Sequence, residues 1–175
     1  MSKNNNQIRT NYAFLAKSVF DLHNLIQAQS AELYTEKEMG FPVWASSTIL
    51  LLSKVDTASI MEISKDLNLS HQLASQRIKA MLNLELVEGL KDPNDKRRTL
   101  YKLTPNGLKK SKILELYCDD AEVAFKDLSS EVGVDIQSIL NSAITALTAK
   151  SFGERFPEHD YSYDERITNM NRDEN

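Results

Sequence analysis

The chain has 175 residues, 41% of them hydrophobic, which suffices for one or two small cores and is short for most two-domain enzymes. Its single cysteine, Cys118, cannot close an intramolecular disulfide, and His23, His71 and His159 fall at no metal-ligand spacing, so the chain reads as cytoplasmic, metal-free and without a cofactor. A formal net charge of −4 argues against a nucleic-acid partner until its distribution is considered: Ser70 to Lys112 holds ten Lys/Arg against four Asp/Glu, a local excess of +6 that leaves −10 elsewhere.

The start, MSKNNNQIRT, is polar, and strictly apolar runs inside are as short as Ile49 to Leu52, so no targeting or membrane-spanning segment is expected. Five glycines and four prolines favour a mainly helical chain over a barrel or sandwich. Ile8, Tyr12, Leu15, Val19, Leu22, Ile26 and Leu33 recur in steps of four and three, which predicts a long helix with a narrow apolar stripe. Phe14, Phe20 and Leu25 lie off that stripe, so more than one face should be covered. A helix of about 30 residues spans roughly 45 Å, longer than one small domain can cover, which favours a partner chain over packing within its own domain. Gly40 and Pro42 break the pattern, with Pro42 suited to the first position of a buried helix over residues 43–55.

Ser59 to Glu62 reads as a capping box opening a short helix to about Leu67; Asn68 suits the left-handed turn that follows. Ser70 caps a second helix, about His71 to Leu84, with Ala74, Ile78, Met81 and Leu82 facing inward. Leu86 to Leu90 and Thr99 to Leu103 read as strands around the polar, basic turn Asp92–Arg98. Thr104 and Pro105 then open another long helix, and a last one spans roughly Val134 to Phe152. From about Glu154 the chain loses periodicity, although Phe156, Tyr161 and Tyr163 offer docking groups. Short helix, tight turn, second helix and hairpin make a winged helix-turn-helix. The expected fold class is therefore mainly α with a small β-hairpin wing. Its expected parts are an N-terminal dimerisation helix (1–38), a DNA-binding unit (41–104), C-terminal dimerisation helices (105–153) and a polar tail (154–175).

Asp92-Pro93-Asn94-Asp95-Lys96-Arg97-Arg98 through Leu103-Thr104-Pro105-Asn106-Gly107 resembles the wing signature of the MarR family of transcriptional regulators, D-x-R, five residues, then L-T-x-x-G. The resemblance covers the whole chain in element order, and its motif-level match runs from about Ser59 to Gly107. It implies that Arg97 enters a DNA minor groove, that Asp95 orients it, and that Ser70 bonds a phosphate at the start of the recognition helix. The chemistry is sound independently, since a narrow minor groove is strongly negative and a guanidinium is flat and always charged. Two departures are visible: Glu85 stands where the family usually has glycine, and Gly89 where an arginine is common.

The candidate DNA-binding residues are Ser70, His71, Gln72, Ser75, Gln76 and Lys79 on the second helix, with Asp95, Lys96, Arg97 and Arg98 in the wing. Amides read adenine edges, and hydroxyl and ammonium groups take phosphates or bases. Each of these residues is equally an ordinary exposed polar residue, and Asp95 equally a turn residue bonding its own backbone. Arg77 borders the inner stripe and is open to an internal partner. Cys118 reads as a buried structural thiol rather than a redox sensor, and no catalytic constellation is recognisable.

The expected function is a homodimeric regulator, a repressor by resemblance, on a pseudo-palindromic duplex operator. Relatives hold a small aromatic or phenolic effector in a cleft; Trp44, Tyr12, Phe14 and Tyr117 are the aromatics available here, although such residues equally serve a core. The alternative is a winged-helix protein-interaction adaptor, for which the basic wing has no use.

Overall fold

The computed structural model describes residues 11–158 and 162–165. Ile8, His159 and Tyr161, considered above, lie outside the described residues. The chain divides into two units, Met1–Ala121 and Glu122–Asn175.

In the first unit a 3₁₀ turn, Tyr12–Phe14, leads into helix α1, Leu15–Glu36. Asn11 Oδ1 caps the turn by accepting from the Ala13 amide at 2.9 Å. Tyr34 is the one buried residue of α1. Its ring meets Phe41 and Tyr117 edge-on at 5.6 and 4.8 Å, and its hydroxyl pairs with Ser46 Oγ at 2.8 Å. Leu15, Val19, Leu22 and Leu33, with the off-stripe Phe14, Phe20 and Leu25, are exposed in the single chain. Pro42 does not begin the next helix. Its carbonyl accepts from the Ala45 amide at 2.9 Å, forming a 3₁₀ turn at Val43–Ala45, and α2 follows at Ser46–Lys54.

Next come β1 (Ala58–Ser59), α3 (Ile60–Asp66), α4 (His71–Asn83), β2 (Val87–Lys91) and β3 (Thr99–Leu103). The wing is larger than the expected hairpin: β1 joins it to make a three-stranded antiparallel sheet in the order β1-β3-β2. Two residues are too few for a period-2 pattern to reveal. The core of this unit gathers Met39, Phe41, Ile49, Leu52, Ile63, Ala74, Ile78, Met81, Leu86, Leu103 and Leu114. Leu82, expected inward, is 39% exposed at the edge of α4.

Helix α5, Pro105–Val132, runs from the first unit into the second. Gly133 follows it with φ +74°, and its amide and that of Val134 bond back to the carbonyls of Ser130 and Ser129. Helix α6, Ile136–Ala149, begins at Asp135, whose carboxylate accepts from the Ser138 amide. Its far end is closed by Arg155, which donates to the carbonyls of Ala146 and Lys150, while Phe152 and Phe156 stack edge-on at 5.1 Å. No residue of α6 is buried, and Ile139, Ile144 and Leu147 are broadly exposed. No described helix is long and apolar enough to cross a membrane.

Candidate nucleic-acid interface

The interface is assembled from three local devices. The first is the capping box of α3. Ser59 Oγ accepts from the Glu62 amide at 3.3 Å, and Glu62 Oε2 accepts from both the Ser59 amide and its hydroxyl at 2.8 Å. The second is the turn between α3 and α4. Asn68 takes φ 50°, the Leu69 amide reaches back to the Ser64 carbonyl at 2.8 Å, and Ser64 Oγ donates to the Leu69 carbonyl at 2.7 Å. These bonds close the turn tightly and fix the angle at which α4 leaves it.

Ser70 then caps α4 by accepting from the Leu73 amide at 3.1 Å, a bond that leaves its hydroxyl proton unused. Ala74, Ile78 and Met81 turn inward; His71, Gln72, Gln76 and Lys79 are exposed, and Ser75 is half-buried. Arg77 takes an internal partner, its guanidinium lying 6.0 Å from the centre of the Trp44 ring.

The third device joins α4 to the wing. Thr104 Oγ donates to the Glu85 carbonyl at 2.6 Å and accepts from the Gly107 amide at 3.0 Å, while the Thr104 amide bonds the Leu86 carbonyl. A side-chain carbon at Gly107 would sit 2.0 Å from the Leu86 carbonyl oxygen. The L-T-x-x-G sequence is therefore a clamp on the end of α4, and its glycine is a close-approach position. Glu85 stands in the left-handed region at φ 55°, which explains why glycine is the easier residue there. Gly89 pairs with Tyr101 across β2 and β3, and a Cβ on it would meet Thr99 and Tyr101 at 3.3 and 3.5 Å. The side chain missing at Gly89 leaves room for the tyrosine ring.

At the wing tip Asp92 is buried; its Oδ1 accepts from the Asn94 amide at 2.8 Å, and its own amide bonds the Arg98 carbonyl. Asp95 Oδ1 accepts from the Arg97 amide at 2.9 Å, so this residue orders the turn through the backbone of the arginine. Lys96 and Arg97 are exposed, and neither side chain makes an ion pair or hydrogen bond among the described residues. Arg98 differs. Its Nη2 lies 2.5 Å from Glu62 Oε1 and 3.0 Å from Ser59 Oγ, and its Nε faces Asp92 Oδ2 at 3.7 Å, beyond hydrogen-bond reach. The Arg98 hydrogen bond, with those from Ser59, lowers the Glu62 pKa to about 2.

Ten sequence-chosen residues thus fall on two neighbouring structures, six on α4 and its cap and four in the wing, with Arg98 turned inward. Ser59 and Glu62 were read only as a cap, because a partner 39 residues away leaves no local pattern. Of the four aromatics considered for a cleft, Trp44 lines a groove of about 550 Å³ with Ala31, Tyr34, Phe41 and Pro42. Tyr117 packs on Tyr34, and Tyr12 is 91% exposed. Burial, then Asp119 and Glu115, push the Cys118 thiol pKa up, which disfavours a reactive thiolate.

Residues 39–98, the segment that carries these devices, match the MarR family model. Over this segment, a third of its length, the chain is similar to the MarR family. Similar solved structures extend the likeness in fold. A MarR family transcription regulator superposes with a TM-score of 0.63 at 19% identity, covering 77% of this chain and 87% of that one. The adhesin competence repressor of Streptococcus pyogenes gives 0.58 at 19% identity, over 78% of this chain and 96% of its own. The reduced form of MarR from E. coli gives 0.56 at 18%, over 76% and 95%. No curated protein matches the sequence. Among the described residues no three His, Cys, Asp or Glu side chains are grouped to hold a metal.

Proposed function

We propose that this chain is a homodimeric, sequence-specific regulator of transcription that binds a pseudo-palindromic operator, with α4 in the major groove and Arg97 in the flanking minor groove. The observation that carries the reading is the pairing of an exposed, unpartnered Lys96–Arg97 tip with an outward polar face on α4 in one basic segment. The dimer rests on the apolar side chains of α1 and α6 that the single chain leaves exposed. The groove beside Trp44 is where a small aromatic effector would sit, and repression relieved by such a molecule is the mode of action we infer.

Selection of duplexes from a random pool, followed by hydroxyl-radical footprinting, tests this. The expected result is two half-sites about one helical turn apart, protected on one face, with affinity falling steeply as salt rises. Protection of a lone half-site, or affinity independent of salt, would refute the reading.

A further inference from the structure

We propose that Arg98 is not a DNA contact but the latch that holds the wing against the start of α3, presetting where Arg97 stands relative to α4. Among the described residues the one strand outside the hairpin that pairs with it is β1, two residues long, with Ala58 opposite Tyr101 and Ser59 opposite Leu100. Arg98 adds a side-chain clasp at the same place. One nitrogen of its planar fork serves Glu62 at 2.5 Å and Ser59 Oγ at 3.0 Å together, and Ser59 is itself buried.

An exposed ion pair is worth little in general. This one is more constrained than most. Arg98 Nε is fully covered, Asp92 stands over it from the hairpin side, and the Glu62 carboxylate is held by two bonds from Ser59. Asp92 also accepts from the Asn94 amide, so the latch reaches the tip through one further hydrogen bond. The cation next to Arg97 in sequence therefore has two carboxylates facing it, Glu62 at 2.5 Å and Asp92 at 3.7 Å, and its Nη2 is already engaged by Glu62 and Ser59.

The test uses the full chain and the variants Arg98→Gln, Arg98→Lys and Glu62→Gln, with melting curves to confirm folding. Glutamine serves as well as glutamate at this place in a capping box, so Glu62→Gln removes the ion pair and keeps the cap. Hydrogen exchange of the free protein should show the Asp92, Asn94, Arg97 and Arg98 amides exchanging at least tenfold faster in all three variants, with Ile78 and Met81 unchanged. On a selected duplex, each variant should bind about five- to twentyfold more weakly. The double variant Arg98→Gln/Glu62→Gln should be no weaker than Arg98→Gln alone, and the slope of affinity against salt should equal that of the unaltered chain.

A slope shallower by about one for Arg98→Gln, with Arg98→Lys near normal and Glu62→Gln binding more tightly, would make Arg98 a phosphate contact and overturn the proposal. Unchanged exchange at the tip would overturn it as well. The DNA measurements rest on the function proposed above, and the exchange measurement does not. Failure of the unaltered chain to bind duplex DNA, with faster tip exchange in the variants, would sink that function and leave the latch standing.

Discussion

At Arg97 and Gly107 adjacent parts of one motif do opposite work. Arg97 contributes nothing to the core and makes no side-chain bond among the described residues, so Arg97→Ala should leave the melting temperature unchanged and weaken operator binding tenfold or more. Titration and melting of one preparation separate the two effects. Gly107 is buried against the Leu86 carbonyl, where an added methyl meets backbone that cannot swing aside. Gly107→Ala should cost about 2–3 kcal/mol, read by urea unfolding, because the clamp between α4 and α5 must open to admit it. Glu85 offers the reverse case. Its left-handed backbone is strained for a residue with a Cβ, so Glu85→Gly should stabilise the chain by up to about 1 kcal/mol in the same measurement.

Among the elements, α1 separates what its pattern promised from what a single chain delivers. Its stripe was legible because one helix face repeats, and the structure leaves Tyr12, Leu15, Val19, Leu22 and Leu33 of that stripe exposed and Ile26 half-buried. Tyr34 was not legible as a core residue, because its burial depends on Phe41, Ser46 and Tyr117, none of them on the same helix. The Ser59–Glu62 capping box, the Asn68 turn and strand β3 were readable for the opposite reason, since each is written within a few consecutive residues. β1 and the Arg98 latch were hidden by their separation along the chain. The ten candidate residues fall on two neighbouring surfaces, α4 with its cap and the wing, but charge alone could not tell the outward Arg97 from the inward Arg98.

The placement of Tyr34 also decides how the proposed dimer should be probed: deleting the first 35 residues would remove a core side chain along with the stripe, confusing misfolding with dissociation. Leu15→Asp/Leu22→Asp spares the core. Sedimentation should find a soluble monomer, and operator affinity should fall by roughly two to four orders of magnitude as the linkage between half-sites is lost. A dimer of full affinity would show that α1 is not the dimer element.

For the molecule as a whole, the proposed function would reconcile an acidic chain with its one basic segment, since only that segment would have to meet phosphates. The position of Trp44 carries a separate consequence. It is the chain's single tryptophan, it lines the groove proposed for an effector, and its ring faces Arg77 on α4. The protein therefore contains its own optical gauge, with one fluorophore bordering both the compartment that would receive a signal and the helix that would act on it. Its emission should shift when operator DNA is added and shift separately when a small aromatic acid fills the groove. Arg77→Ala should silence the response to DNA while preserving the response to the acid, so that one cuvette without any attached dye can follow whether the two events travel together.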